Sequence, residues 1–161
     1  MDYVFDTSAV IVLLEICGLE KQLLAFSGKN ALYIPNKVRE EFLDGCKIDR
    51  EAINAFSLVN PSLNKQLVSY FVQHSDSGEF WTISHSCGNG NCICVIDDGF
   101  GRDLCGFLGV KFTGSVGIIN EMKKQGYLSK EDLLEIREKI RRSNFYLSKE
   151  LLVKLDEICF S

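Results

Sequence analysis

The chain has 161 residues, 46% of them hydrophobic, which is enough for one compact domain with a buried core and too apolar for a disordered tail. Its 18 basic and 22 acidic side chains leave a net charge of −4, so overall charge does not attract nucleic acid. A nucleic-acid partner has to be held by a local basic patch or through bound metal.

Taken in order, short apolar runs rich in β-branched residues alternate with segments of helical period. Tyr3-Val4-Phe5 reads as a first strand and Ser8 to Ile16 as a helix apolar nearly all round, ended by Gly18. Glu20 to Phe26 is a short helix, Ala31 to Ile34 a second strand, and Asn36 to Leu43 a helix capped by Asn36 after Pro35 and closed by Gly45. A short helix over Asp49 to Phe56 and a short strand over Ser57 to Asn60 follow. Pro61 and Ser62 then precede an amphipathic helix reaching Val72.

Ser77 to Ser86 reads as a helix, Asn89-Gly90-Asn91 as a turn, and Cys92 to Ile96 as the central strand. Gly101 to Leu108 is helical with Gly109 as terminator, Val110 to Phe112 a strand, and Val116 to Gln125 a helix ended by Gly126. Two helices starting at Ser129 and Ser148 complete the chain, the first with the serine and acid spacing of a capping box. Strands alternating with helices make βαβ units, so the fold class is α/β: a central parallel sheet with helices on both faces and residues 129–161 as a helical cap, in one domain over 1–161.

The seven cysteines are an odd number without paired zinc-type spacing, and the chain opens without a basic, then apolar leader. Reduced thiols, a cytoplasmic protein and no membrane span are expected. Cys92 and Cys94, alternating with Ile93 and Val95, behave as small apolar strand residues.

The chemistry-bearing signal is carboxylate. Asp6 and the Asp97-Asp98 pair each follow a strand, where open α/β sheets collect their ligands, and Glu41 and Glu79 lie early in helices that can face the same edge. Crowded carboxylates repel one another unless a cation sits among them, and hard divalent ions take oxygen ligands. Such a pocket suits in-line displacement at phosphorus, hence a phosphodiester substrate. Each acid also has a plainer reading: Asp6 as a helix cap, Glu79 as an early-turn acid on the helix dipole, Asp97-Asp98-Gly99 as a turn. Lys37, Arg39 and Arg102 lie nearest the pocket and are the candidate phosphate contacts. His74 and His85 have no partners at triad or metal spacing, and nucleophile-elbow and phosphate-loop motifs are absent.

Val4-Phe5-Asp6-Thr7-Ser8-Ala9-Val10-Ile11, Ile34 to Phe42 and Val95-Ile96-Asp97-Asp98-Gly99-Phe100-Gly101-Arg102 together resemble PIN domains. Ser77-Gly78-Glu79, Phe112 to Gly117, Lys123 to Gly126 and Asn144 to Ser148 are similar to a prokaryotic branch related to VapC-type toxins. The resemblance implies a three-layer α/β/α fold, a Mg²⁺ or Mn²⁺ requirement and ribonuclease activity on single-stranded RNA. It matches Asp6, Glu41, Glu79 and the pair Asp97-Asp98 to the family's four acids, which would hold the metal and carry catalysis. Glu41 fits better than Glu40 because it stands directly before Phe42. Which of Asp97 and Asp98 reaches metal stays open. Thr7 or Ser8 matches the hydroxyl residue beside the first acid, whereas Ile96 stands where many PIN domains have a hydroxyl.

For partners the resemblance implies RNA and, for a toxin, an antitoxin protein; apolar faces of the last helices allow a homodimer. Two other readings are a PIN-fold binding module with little nuclease activity and a response-regulator-like domain phosphorylated on aspartate. For the latter, Lys111 before Phe112-Thr113 is the nearest match to the lysine required.

Overall fold

In the computed structural model, which describes residues 1–62, 64–70 and 77–161, the buried apolar runs become the strands of one sheet. These are β1 (Asp2–Phe5), β2 (Ala31–Pro35), β3 (Ser57–Val59), β4 (Cys92–Val95) and β5 (Phe112–Thr113). All neighbours pair in parallel, in the order β3-β2-β1-β4-β5. The chain therefore winds outward from β1 to β3, then crosses back to lay β4 on the other side of β1. Val4, Phe5, Cys94 and Val95 are fully buried, as strands covered on both faces require.

The helices are α1 (Thr7–Ile11), α2 (Glu20–Ser27), α3 (Asn36–Gly45), α4 (Lys65–Val68), α5 (Gly78–Gly88), α6 (Gly99–Leu108), α7 (Ser115–Lys124), α8 (Lys130–Arg142) and α9 (Lys149–Phe160). They make the outer layers of a three-layer α/β/α architecture. The larger core gathers Phe5, Leu13, Phe26, Ile34, Ile118 and Leu155. The smaller packs Phe80 and Ile83 of α5 and Leu104 and Cys105 of α6 against Cys94 and Ile96. Dispersion and removal of apolar area from water hold both layers to the sheet. All seven thiols are free. Among the described residues no helix is long and apolar enough to cross a membrane.

Several boundaries differ from the sequence reading for local reasons. The helix expected over Ser8 to Ile16 starts at Thr7 and widens into a π-turn over Val12–Ile16 before Gly18, which sits at φ +69°. Pro35, not Asn36, occupies the N-cap of α3, because Pro35 still pairs with Val59 in extended conformation. The segment expected as a helix over Asp49 to Phe56 is a 3₁₀ turn, Arg50–Ala55, with the Asp49 carboxylate accepting from the Glu51 amide. The last strand begins at Phe112 instead of Val110, since the Val110 amide donates to Cys105 O behind the left-handed Gly109 and so finishes α6. The helix expected to reach Val72 is Lys65–Val68 and ends in a turn at Ser69 and Tyr70, and residues 71–72, like His74, lie outside the described residues. The predicted box on α8 is present: Ser129 Oγ accepts from the Asp132 amide and Asp132 Oδ2 from the Ser129 amide.

Candidate functional site

β1 and β4 are neighbours, yet their following connections lead to opposite sides of the sheet, which makes the gap beyond their carboxyl ends the topological switch point. Asp6 enters this gap at the end of β1, its amide still donating to Val95 O at 3.0 Å. It is the N-cap of α1, with Oδ1 accepting from the Thr7 amide at 2.6 Å, and it is 4% exposed. The plain reading of Asp6 as a cap is thus true, but capping does not explain why a charged group is buried there.

Glu41 reaches the same gap from α3. Its Oε2 accepts from Thr7 Oγ1 at 2.5 Å and its Oε1 from the Gly78 amide at 2.8 Å, tying α3 to the starts of α1 and α5. A side chain at Gly78 would come within 2.6 Å of Thr7 Oγ1 and 2.7 Å of Glu41 Oε2, so the close approach requires glycine. Glu40 points elsewhere, pairing with Lys37 at 3.9 Å.

Glu79 sits in the first turn of α5, whose N-cap Ser77 accepts from the Phe80 amide. One turn on, Thr82 Oγ1 donates to Phe5 O at 3.3 Å and to Gly78 O at 2.8 Å, fixing α5 over the end of β1. Glu79 Oε1 is buried and has no hydrogen-bond partner among the described residues, packed against Gly101 where a Cβ would collide with it. A buried oxygen left unmatched is costly, and a cation beside it removes the cost.

The acidic pair divides. Asp97 turns inward, accepting from the Ser115 amide at 2.8 Å and from Ser115 Oγ at 2.5 Å, with Arg102 close enough to act on its charge. Asp98 is exposed and caps α6, its Oδ2 accepting from the Gly101 amide at 3.0 Å. Ile96 supplies no hydroxyl, and the one that meets Asp97 comes from Ser115, the first residue of α7 after β5. Sequence reasoning missed Ser115; its signal was a serine directly after a strand at the same sheet edge.

Charge crowding is visible in the acids themselves. Burial first, then Glu79, pushes Asp6 up to about 7 against the opposing Thr7 amide, with Glu41 and Asp97 adding to the rise. Burial and then Asp98 push Glu79 up to about 7. Burial also raises Asp97, against the pull of Ser115 and Arg102. The acids are within one another's fields, although among the described residues no three His, Cys, Asp or Glu side chains close into a ready-made metal cage. An open oxygen set of this kind suits a hard divalent ion that keeps several waters better than a caged one.

The three candidate cations separate. Arg102 lies over the Phe112 ring at 5.5 Å and lines the cavity that opens beside Asp97. Lys37 is one helical turn before Glu41 on α3. Arg39 lines a different groove with Leu43, Arg50 and Phe56, away from the carboxylates.

A doubly sided parallel sheet with acids gathered at its switch point defines a class of α/β protein that handles charged ligands at that edge. A PIN-domain family model matches residues 2–157, and the chain belongs to the PIN-domain family. Members are in general nucleases that depend on divalent metal, so this is a nuclease-type fold acting on nucleic acid. Comparison with curated proteins and with solved structures returned no match.

Proposed function

We propose that the protein is a metal-dependent endoribonuclease that hydrolyses phosphodiester bonds of single-stranded RNA with Mg²⁺ or Mn²⁺. The observation that carries this reading is the buried Glu79 Oε1, without a hydrogen-bond partner among the described residues, beside an Asp6 whose proton is held up to about 7 by burial and then by neighbouring acids. Together they describe a site short of positive charge. Asp6, Glu41, Glu79 and Asp97 would hold the ion; Asp98 serves α6 as its cap and adds negative charge. When bound, a divalent ion supplies charge neutralisation at the phosphoryl group and lowers the pKa of water beside it.

The chain's own residues set the geometry. Thr7 and the Gly78 amide hold both oxygens of Glu41, and Ser115 holds both oxygens of Asp97, so neither carboxylate is free to swing away. Arg102, shared between Asp97 and the open cavity, is positioned to contact a substrate phosphate, and Lys37, one turn before Glu41 on α3, is a second candidate contact. Arg39 does not share this pocket and is not assigned to the scissile phosphate.

The test is direct. Purified protein should cut a labelled single-stranded RNA internally with Mg²⁺ or Mn²⁺ and stop on chelation. Full activity in Asp6→Asn, or cleavage indifferent to chelator, would reject the site.

A further inference from the structure

A cavity of about 390 Å³ opens directly beside Asp97, between the start of α7 and the inner side of α9, within the size range of small-ligand sites. Two glycines let its walls pack closely, and Gly114 keeps it joined to the carboxylates. A Cβ at Gly114 would stand 2.7 Å from Asp97 Oδ1, and one at Gly117 would collide with the Thr113 hydroxyl. The α9 wall is pinned in place by Lys123, whose Nζ donates to Ile158 O at 2.7 Å and contacts Ser161 Oγ at 2.6 Å.

The lining is sorted by chemistry. Leu151 offers apolar surface above the largely buried Val116, Asn120 and Glu157 offer hydrogen-bonding edges, and Arg102 and Lys154 supply positive charge. Apolar faces, polar groups for an edge and cations for a phosphate are what an unpaired nucleotide needs, since single-stranded RNA is read by splayed bases. We propose that this cavity is a nucleotide subsite that takes one unpaired nucleotide flanking the scissile phosphate, with its base against Val116 and Leu151. This rests on the ribonuclease reading and adds a specificity to it. A carboxylate accepts from an exocyclic amine but has no donor for uracil's O4, so Glu157 selects an amino-bearing base over uracil, while the Asn120 amide, donor and acceptor both, adds binding to any base edge.

The test uses the full chain in chelator at about pH 6, so that RNA stays intact and the acids carry less charge. The four nucleoside 5′-monophosphates are titrated by amide-resolved NMR, with a single-stranded tetranucleotide as competitor. Shifts should map to Val116, Asn120 and Leu151, the amino-bearing nucleotides should bind at least fivefold tighter than UMP, and the tetranucleotide should displace them. Asn120→Ala and Lys154→Glu should each weaken binding about tenfold with an unchanged thermal transition, and Glu157→Gln should erase the preference against UMP. Absent shifts in this cavity, equal binding of UMP, wild-type affinity in both variants, or a tetranucleotide that does not compete would each overturn the subsite. Failure here with metal-dependent cleavage intact leaves the nuclease reading standing. Nucleotide binding here without any cleavage sinks that reading instead.

Discussion

Asp6 and Glu79 carry their charge at a cost that a proton or a cation relieves, and that cost has a sign that pH can read. Burial and neighbouring acids lift Asp6 from its ordinary 3.8 to about 7, so the folded metal-free chain keeps a proton the unfolded chain has already released. Stability from this proton is complete below about pH 4 and is lost as pH rises through about 7, a fall on the order of 2–4 kcal/mol. A melting series in chelator should therefore show a falling transition from pH 5 to 8. Added Mn²⁺ should restore more stability at pH 8 than at pH 5.5, because the ion competes with those protons. Asp6→Asn keeps a competent N-cap while removing the titrating group. It should lose at least a hundredfold in cleavage, melt at or above the wild-type temperature at pH 8, and flatten the pH series. Asp6 and the acidic pair were legible in the sequence because they directly follow strands. The free oxygen of Glu79 and the grip of Ser115 on Asp97 were not, since both depend on neighbours 18 or more positions away in the chain.

At the scale of elements, the site is a junction where three helix starts meet the middle of a fourth: α1 brings Thr7, α5 brings Gly78 and Glu79, α7 brings Ser115, and α3 brings Glu41. Gly78→Ala should push Glu41 off the Thr7 hydroxyl, destabilising the protein by about 1–3 kcal/mol and weakening Mn²⁺ binding measured by calorimetry. A variant with native melting and native metal affinity would contradict the junction. Away from the site, Ser129→Ala on α8 should cost about 1 kcal/mol of stability and leave cleavage unchanged, which separates capping from catalysis. Helix starts of this kind were readable from Ser129 and Ser77. The strand start after Gly109 was not, because nothing in Val110 itself says that its amide finishes the preceding helix.

For the whole molecule, the parallel sheet and its two helical layers followed from alternating apolar runs, whereas strand order did not. Only the crossover that sets β4 beside β1 brings Asp97 next to Asp6 across 91 positions of sequence, with Phe5 opposite Val95 in the ladder. The π-turn in the first helix was also illegible, since Ser8 to Ile16 carries an unbroken helical pattern. At every scale the proposal is the same, that this sheet edge holds a divalent ion. Its most direct measurement is a crystal structure grown with Mn²⁺ and read by anomalous scattering. The expected result is a manganese peak ligated by Asp6, Glu79 and Asp97, with Glu41 bound to it directly or through water. A well-ordered edge without manganese, or a manganese held only by residues elsewhere, would contradict the account.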